Sequence, residues 1–469
     1  MKKGNLLYGI DDVPPLAATL GLGFQHYLTM FGSTVAVPLL LAPALGMQDD
    51  PVALGWLIST MFFVSGITTL LQTTFGNRLP LVQGGTFSFL APTFAICGMA
   101  ALQGDVGYEV RLQHVQGAVI AGAVVEILVG ATGLVGRLLR YVGPITIAPT
   151  IALIGLSLFK FGAPEAGRHW GIGGLTIALM VLFSQYLRSK HRVFELFPVL
   201  LGILGAWGAA AVLTATGFFE PGHPAHVSTE KVAAAPWFRV PQPFQWGLPV
   251  FALPAIVGML AGYLASIVES VGDYWACARM SGAPRPDART INRGITFEGI
   301  GCVVAGIFGT GNGTTSYSEN IGAIGLTRVG SRRVVQVGSL LMLALGAFGK
   351  FGALFTTIPQ PIVGGMYCAM FGMIASVGLS NLQFVDMNSA RNLFILGFAF
   401  FMGLSLPEYF AQNPVTLEPK WVADLINTLG STGMAVGAFI ALVLDNTIPG
   451  TDEERGLTAW ASGGEAAAD

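Results

Sequence analysis

Fourteen long, mostly apolar stretches punctuate this chain of 469 residues, and no other feature limits its fold as strongly. They lie at roughly 16–42, 53–75, 84–101, 115–136, 145–162, 170–187, 196–217, 249–276, 291–309, 313–327, 334–357, 361–381, 392–408 and 428–447. A helix spans the hydrocarbon core of a bilayer with about 20 such residues. Inside lipid the chain must satisfy its own backbone N–H and C=O groups, so repeated runs of this length predict an all-α polytopic membrane protein. Only 11% of the residues are charged, against about 25% in soluble domains. Glycine, common in membrane helices, occurs 63 times.

Charge and cysteine usage exclude several functions. A net charge of −2 leaves no basic surplus for a nucleic-acid partner. Cys97, Cys277, Cys302 and Cys368 are scattered through apolar runs without a CxxC or Cys/His cluster, so inert buried thiols are expected rather than a metal site or disulfides. No nucleotide-binding loop or nucleophile motif appears, and neither an enzyme nor a cofactor is expected. Lys2 and Lys3 lead to Asp11, Asp12, Pro14 and Pro15 before any apolar run, which is not the order of a cleavable signal peptide.

Loop charge predicts orientation. Arg78, Arg137, Arg140, Arg188, Lys190, Arg192, Arg279, Arg285, Arg289, Arg293, Arg328, Arg332, Arg333 and Arg391 all fall on one side if the N-terminus is cytoplasmic. The positive-inside rule then places both termini in the cytoplasm of a multi-pass protein of the cell membrane. The longest polar loop, 218–248, divides the segments into two sevens. An odd count forces the halves into opposite topologies, so inverted repeats are expected at 16–217 and 249–447, between tails 1–15 and 448–469. The third segment of each half is short and irregular: Gly84-Gly85-Thr86-Phe87-Ser88-Phe89 and Gly313-Thr314-Thr315-Ser316-Tyr317-Ser318-Glu319-Asn320. Interrupted segments at matching positions of inverted repeats point to a transport site.

Acidic residues at membrane depth cost about 2.5–3.5 kcal/mol on insertion scales, so each is informative. Glu269 and Asp273 stand four residues apart, on one face of segment 8. Glu319 stands in the irregular segment 10. Together they suit a cation plus a hydrogen-bonding solute. Asp273 has a second reading as a solvated residue near a helix end. Glu298 is expected to pair with Arg289 or Arg293. His26, in segment 1, is either a proton relay or a hydrogen-bonded core histidine. Asn312, Thr314, Thr315, Ser316, Ser318 and Asn320 supply amides and hydroxyls around the carboxylates.

The run Ser318-Glu319-Asn320-Ile321-Gly322-Ala323-Ile324-Gly325-Leu326-Thr327-Arg328 resembles the signature of the nucleobase–ascorbate transporter family, through Asn320, Gly322, Thr327 and Arg328. Glu269-Ser270-Val271-Gly272-Asp273-Tyr274 looks like that family's eighth-helix motif, and Gln25-His26-Tyr27 with Met30–Thr34 looks like its first helix. The resemblance covers about residues 12–447. It implies a core domain of segments 1–4 and 8–11, a gate domain of 5–7 and 12–14, a homodimer in lipid, and elevator-like movement of the core. By motif position it implies that Glu269 and Glu319 hydrogen-bond the substrate, with Phe87, Ser318 and Ser33 beside it. Asp273 replaces the histidine of many bacterial uracil permeases and is similar to the purine and ascorbate branches, where an acidic residue helps hold sodium. The expectation is a uracil or xanthine importer driven by protons, with Asp273, Glu269 and His26 in cation coupling. Sodium–ascorbate symport is the alternative, and an anion exchanger of the same architecture is disfavoured by Glu269 and Glu319.

Overall fold

The computed structural model describes residues 6–48 and 50–461. Residues 1–5 and 462–469 of the two expected tails lie outside the described residues. Among the described residues, nine helices are long and apolar enough to cross a membrane: Leu16–Leu45, Pro51–Thr74, Tyr108–Ala131, Pro144–Gly167, Pro198–Ala215, Leu253–Ser281, Ala288–Phe308, Gln360–Phe384 and Ala390–Gln412. They are segments 1, 2, 4, 5, 7, 8, 9, 12 and 13. Segment 14 is a pair, Lys420–Gly430 and Gly433–Thr447, bent by 85°. The remaining four are shorter: segment 3 (83–97), segment 6 (170–186), segment 10 (314–327) and segment 11, Arg332–Gly346. The expected run 334–357 is not one helix. It breaks after Gly346, where Phe348 forms a bridge with Phe238, and resumes at Gly349–Phe355.

Local chemistry sets the helix ends. Asp50 caps segment 2 by accepting from Val52 N and Ala53 N, with Pro51 in the first turn. Asp287 caps segment 9 through Thr290 N. Gly282 and Gly309 end segments 8 and 9 in the left-handed conformation.

Packing between helices reproduces the sevenfold offset. Segment 11 lies along segment 2, and segment 9 lies along segment 4. Adding seven to the first pair gives the second, as two repeats related by a pseudo-twofold axis require. Segments 1 and 11 match segments 8 and 4 in the same way, and segment 5 packs on its own counterpart, segment 12. Segments 1–4 pack mainly with 8–11, a group called the core below, and segments 5–7 pack mainly with 12–14, called the gate. In segments 7 and 13 only 28% and 22% of the apolar window is buried, so these gate helices turn most of their surface outward from the chain.

Segments 3 and 10 meet at the centre. Each begins as a three-residue strand, β1 (Gln83–Gly85) and β2 (Thr314–Ser316), and then turns into a short helix. The strands pair antiparallel, Gln83 opposite Ser316, Gly84 opposite Thr315 and Gly85 opposite Thr314. Exposed strand edges are not tolerated in hydrocarbon, so each interrupted segment satisfies part of the other's backbone. Gly313 precedes β2 because nothing larger fits: a Cβ there would lie 1.8 Å from Phe89 Cε2.

Candidate functional site

The paired strands deliver two helix starts to one place. Thr86 Oγ1 accepts from Ser88 N at 3.0 Å, while Thr86 N donates to Asn312 Oδ1 at 2.9 Å. Tyr317 Oη donates to Gly85 O at 2.7 Å and lies 3.2 Å from Thr34 Oγ1, which ties segments 1, 3 and 10 together. Helix starts present free N–H groups and a partial positive charge to whatever lies in front of them.

In front of them is a cavity of about 210 Å³. Its core wall comprises Gly85–Ser88, Glu269, Thr315 and Tyr317–Glu319. Its gate wall is apolar: Ile151 and Ile154 from segment 5, and Met370, Met373, Ile374 and Val377 from segment 12. Drug-sized sites span about 300–1,000 Å³, so this one suits a smaller solute. All its polar groups come from the core and none from the gate.

Each carboxylate has its own environment. Glu319 is exposed, and its Oε1 accepts from Ser33 Oγ at 2.7 Å. Glu269 is half-buried, and its Oε2 accepts from Ser88 Oγ at 3.3 Å. Both therefore keep acceptor capacity for a solute. Asp273 is buried and holds no Arg or Lys. Ser316 Oγ and Ser318 Oγ each donate to it at 2.7 Å, one to each oxygen. The reading of Asp273 as a solvated residue near a helix end is thus corrected: β2 and the start of the segment 10 helix close over it. Phe87 lines the cavity and sets its ring 6.4 Å from Phe371, edge to face, across the boundary between core and gate.

Not every residue of the signature reaches the cavity. Asn320 is buried, with Nδ2 donating to His26 O at 2.8 Å and lying 3.2 Å from His26 Nδ1. His26 therefore joins segment 1 to segment 10 through Asn320 and makes no hydrogen bond to the three carboxylates. Gly322 lies one turn along the exposed side of the segment 10 helix. Thr327 bonds back to Ala323 O at 2.8 Å, and Arg328 closes the helix at φ 59°. The Arg328 carbonyl accepts from Leu7 N at 2.8 Å, so this end of the signature anchors the N-terminal segment.

Glu298 departs from expectation. It pairs with neither Arg289 nor Arg293. It is buried in the core, where Ser266, Ser270, Tyr274 and Thr315 donate to it at 2.8, 2.5, 3.1 and 3.3 Å. The sequence carried a signal for this arrangement: Ser266, Ser270 and Tyr274 repeat at four-residue intervals beside Glu269 and Asp273. Ser270 and Ser316 hydroxyls are 2.9 Å apart, so a chain of hydroxyls links Glu298 to Asp273. Glu126, in Val124-Val125-Glu126-Ile127, is a further buried carboxylate that the sequence reading passed over.

An inverted-repeat membrane fold with paired broken segments, and a small polar site where they meet, defines a secondary transporter. Comparison with known proteins agrees. The profile of the Permease family (Xan_ur_permease) matches residues 17–412. Solute carrier family 23 member 2 of Mus musculus is 49% identical over 502 residues, covering 98% of this chain and 77% of the relative. Nucleobase-ascorbate transporter 1 of Arabidopsis thaliana is 39% identical, covering 97% of this chain and 92% of the relative. The chain belongs to this permease family, that of the nucleobase–ascorbate transporters, and is a transporter rather than an enzyme. Solved structures share the fold at low identity. The transmembrane domain of the cyanobacterial bicarbonate transporter BicA superposes with a TM-score of 0.56 at 15% identity, over 90% of this chain and 99% of that one. SLC26A9 superposes with a TM-score of 0.64 at 13% identity, over 92% of this chain and 66% of that one.

Proposed function

We propose that this protein imports a nucleobase, uracil or xanthine, by proton symport across the cell membrane. The observation that carries the reading is the pair Glu269 and Glu319. Both face one small cavity with acceptor capacity left over, beside two helix starts that offer N–H donors. A nucleobase edge alternates ring N–H donors with carbonyl acceptors, which is the complement of that arrangement. A neutral heterocycle also avoids the repulsion that two carboxylates impose on an anion, and this weighs against bicarbonate-type exchange.

On this reading the polar core carries the solute and slides against the apolar gate wall as an elevator. Repeats at 16–217 and 249–447 flank an external linker at 218–248, both termini are cytoplasmic, and two copies associate through their gates. Asp273 stands one hydroxyl behind the solute, where a coupling cation acts on the helix start that binds it.

A sodium-coupled ascorbate symporter is the second reading. It is favoured by the two hydroxyls around Asp273, oxygen groups of the kind that ligate a hard cation. Uptake into proteoliposomes separates the two. Uracil or xanthine accumulation that persists without sodium and collapses with a protonophore supports the first. Sodium-dependent ascorbate uptake, with Asp273→Asn weakening sodium binding more than solute binding, replaces it with the second.

A further inference from the structure

Beyond segment 14 the chain turns back and crosses from gate to core. Its root is fixed to the gate. Asp445, buried near the end of segment 14, accepts from Arg455 Nε and Nη2, each at 3.0 Å, and from Arg391 Nη2 at 2.9 Å. The Glu454 carbonyl accepts from Asn392 Nδ2 of segment 13 at 2.8 Å. The tip is the short helix Leu457–Ala461, and its Trp460 reaches the core. Trp460 is only 9% exposed and meets Trp275 edge to face, with ring centroids 5.5 Å apart. It shares an apolar cluster with Val268 of segment 8 and with Val142, Ile147 and Ile151 beside it in the gate. Segment 8 is the helix that carries Glu269 and Asp273.

This contact depends on where the core stands. The anchor at Asp445 belongs to the gate, whereas Val268 and Trp275 belong to the core. A slide of one helical turn, about 5.4 Å, carries Trp275 out of reach. The site is open toward the same end of the molecule: Ser318, Glu319, Gly322 and Arg328 are exposed in succession along the segment 10 helix, and the loop after it packs on Ser281, at the end of segment 8.

We propose that residues 451–460 form a latch that holds the core in this open position and sets the rate at which it leaves. The latch rests on the moving-core reading above and requires no particular solute or coupling ion. Burial of an indole and an aromatic pair are both lost when the core departs, so they stabilise one state selectively.

The test uses the full chain in proteoliposomes, with Cys368, the half-exposed native thiol, replaced by serine. Labelling of Val377→Cys, on the gate wall of the open cavity, by a membrane-impermeant maleimide reads the open population. Trp460→Ala is expected to shift the equilibrium constant between the open and the opposite state about tenfold, about 1.4 kcal/mol, and so to slow that labelling, while Trp460→Phe keeps most of it. Unchanged labelling in a Trp460→Ala protein that melts like its parent overturns the latch. A short dithiol cross-link between Trp275→Cys and Trp460→Cys separates the latch from the reading beneath it. Transport that continues in the cross-linked protein refutes core movement and the latch together. Transport that stops, combined with unchanged labelling in Trp460→Ala, leaves core movement standing and refutes the latch alone.

Discussion

Replacing Glu319 with Gln preserves shape and changes hydrogen-bond character at one atom. In the native chain Oε1 accepts from Ser33 Oγ at 2.7 Å, and Glu319 lines the cavity with its second oxygen in no protein hydrogen bond among the described residues. Glutamine keeps an oxygen for Ser33 and turns an NH₂ group toward the solute, where a ring N–H needs an acceptor. The loss is one hydrogen bond to a charged group, about 1.5–3 kcal/mol, or about 10- to 150-fold in Kd. The fold should not suffer. Glu319 is exposed, and no buried donor other than Ser33 depends on it. The assay is equilibrium binding of radiolabelled uracil and xanthine to purified protein, with melting temperature measured on the same sample. Native affinity in a Glu319→Gln protein that melts normally would refute the assignment of this carboxylate to the solute.

Three further outcomes follow from the packing. Glu298→Gln should destabilise the core by about 3 kcal/mol, because an amide nitrogen replaces an oxygen that hydroxyl donors surround; a melting temperature equal to that of the native protein would contradict this role. Gly313→Ala places a methyl group against Phe89 and should cost about 1–3 kcal/mol in overpacking, read as a lower melting temperature with parallel loss of uptake. A disulfide between Ile151→Cys of the gate and Val268→Cys of the core, which share one apolar cluster, should arrest transport until it is reduced. A disulfide between Thr74→Cys and Gln336→Cys, whose native side chains bond at 3.1 Å within the core, should leave transport running; arrest by the second pair and not the first would reverse the division into moving and fixed parts.

Much of this fold is legible in the sequence because lipid leaves few options. An apolar run near 20 residues long must be a helix, and an odd number of such runs in each half forces inversion. Gly84–Phe89 and Gly313–Asn320 stand out as interrupted because glycine and hydroxyl residues replace the apolar period at matching places. Glu269, Asp273 and Glu319 stand out because a carboxylate in hydrocarbon is costly without a purpose. What the chain alone leaves open is which side chains from distant segments complete each site. Ser33 and Glu319 are separated by 286 positions, yet meet at 2.7 Å. Four-residue spacing shows that Ser266, Ser270 and Tyr274 share a helical face, but not that Glu298 fills the space before them. Nearby arginines made a pair with Arg289 or Arg293 the expectation for Glu298, and only the packing of segment 9 against the core shows it turned inward. The same limit applies to Trp460. Its apolar character is plain in the sequence, but its contact with Trp275 depends on how the gate and core helices stand together. Helical period and solvation determine each segment by itself, whereas the partners of a buried polar or aromatic group are decided only when the segments pack.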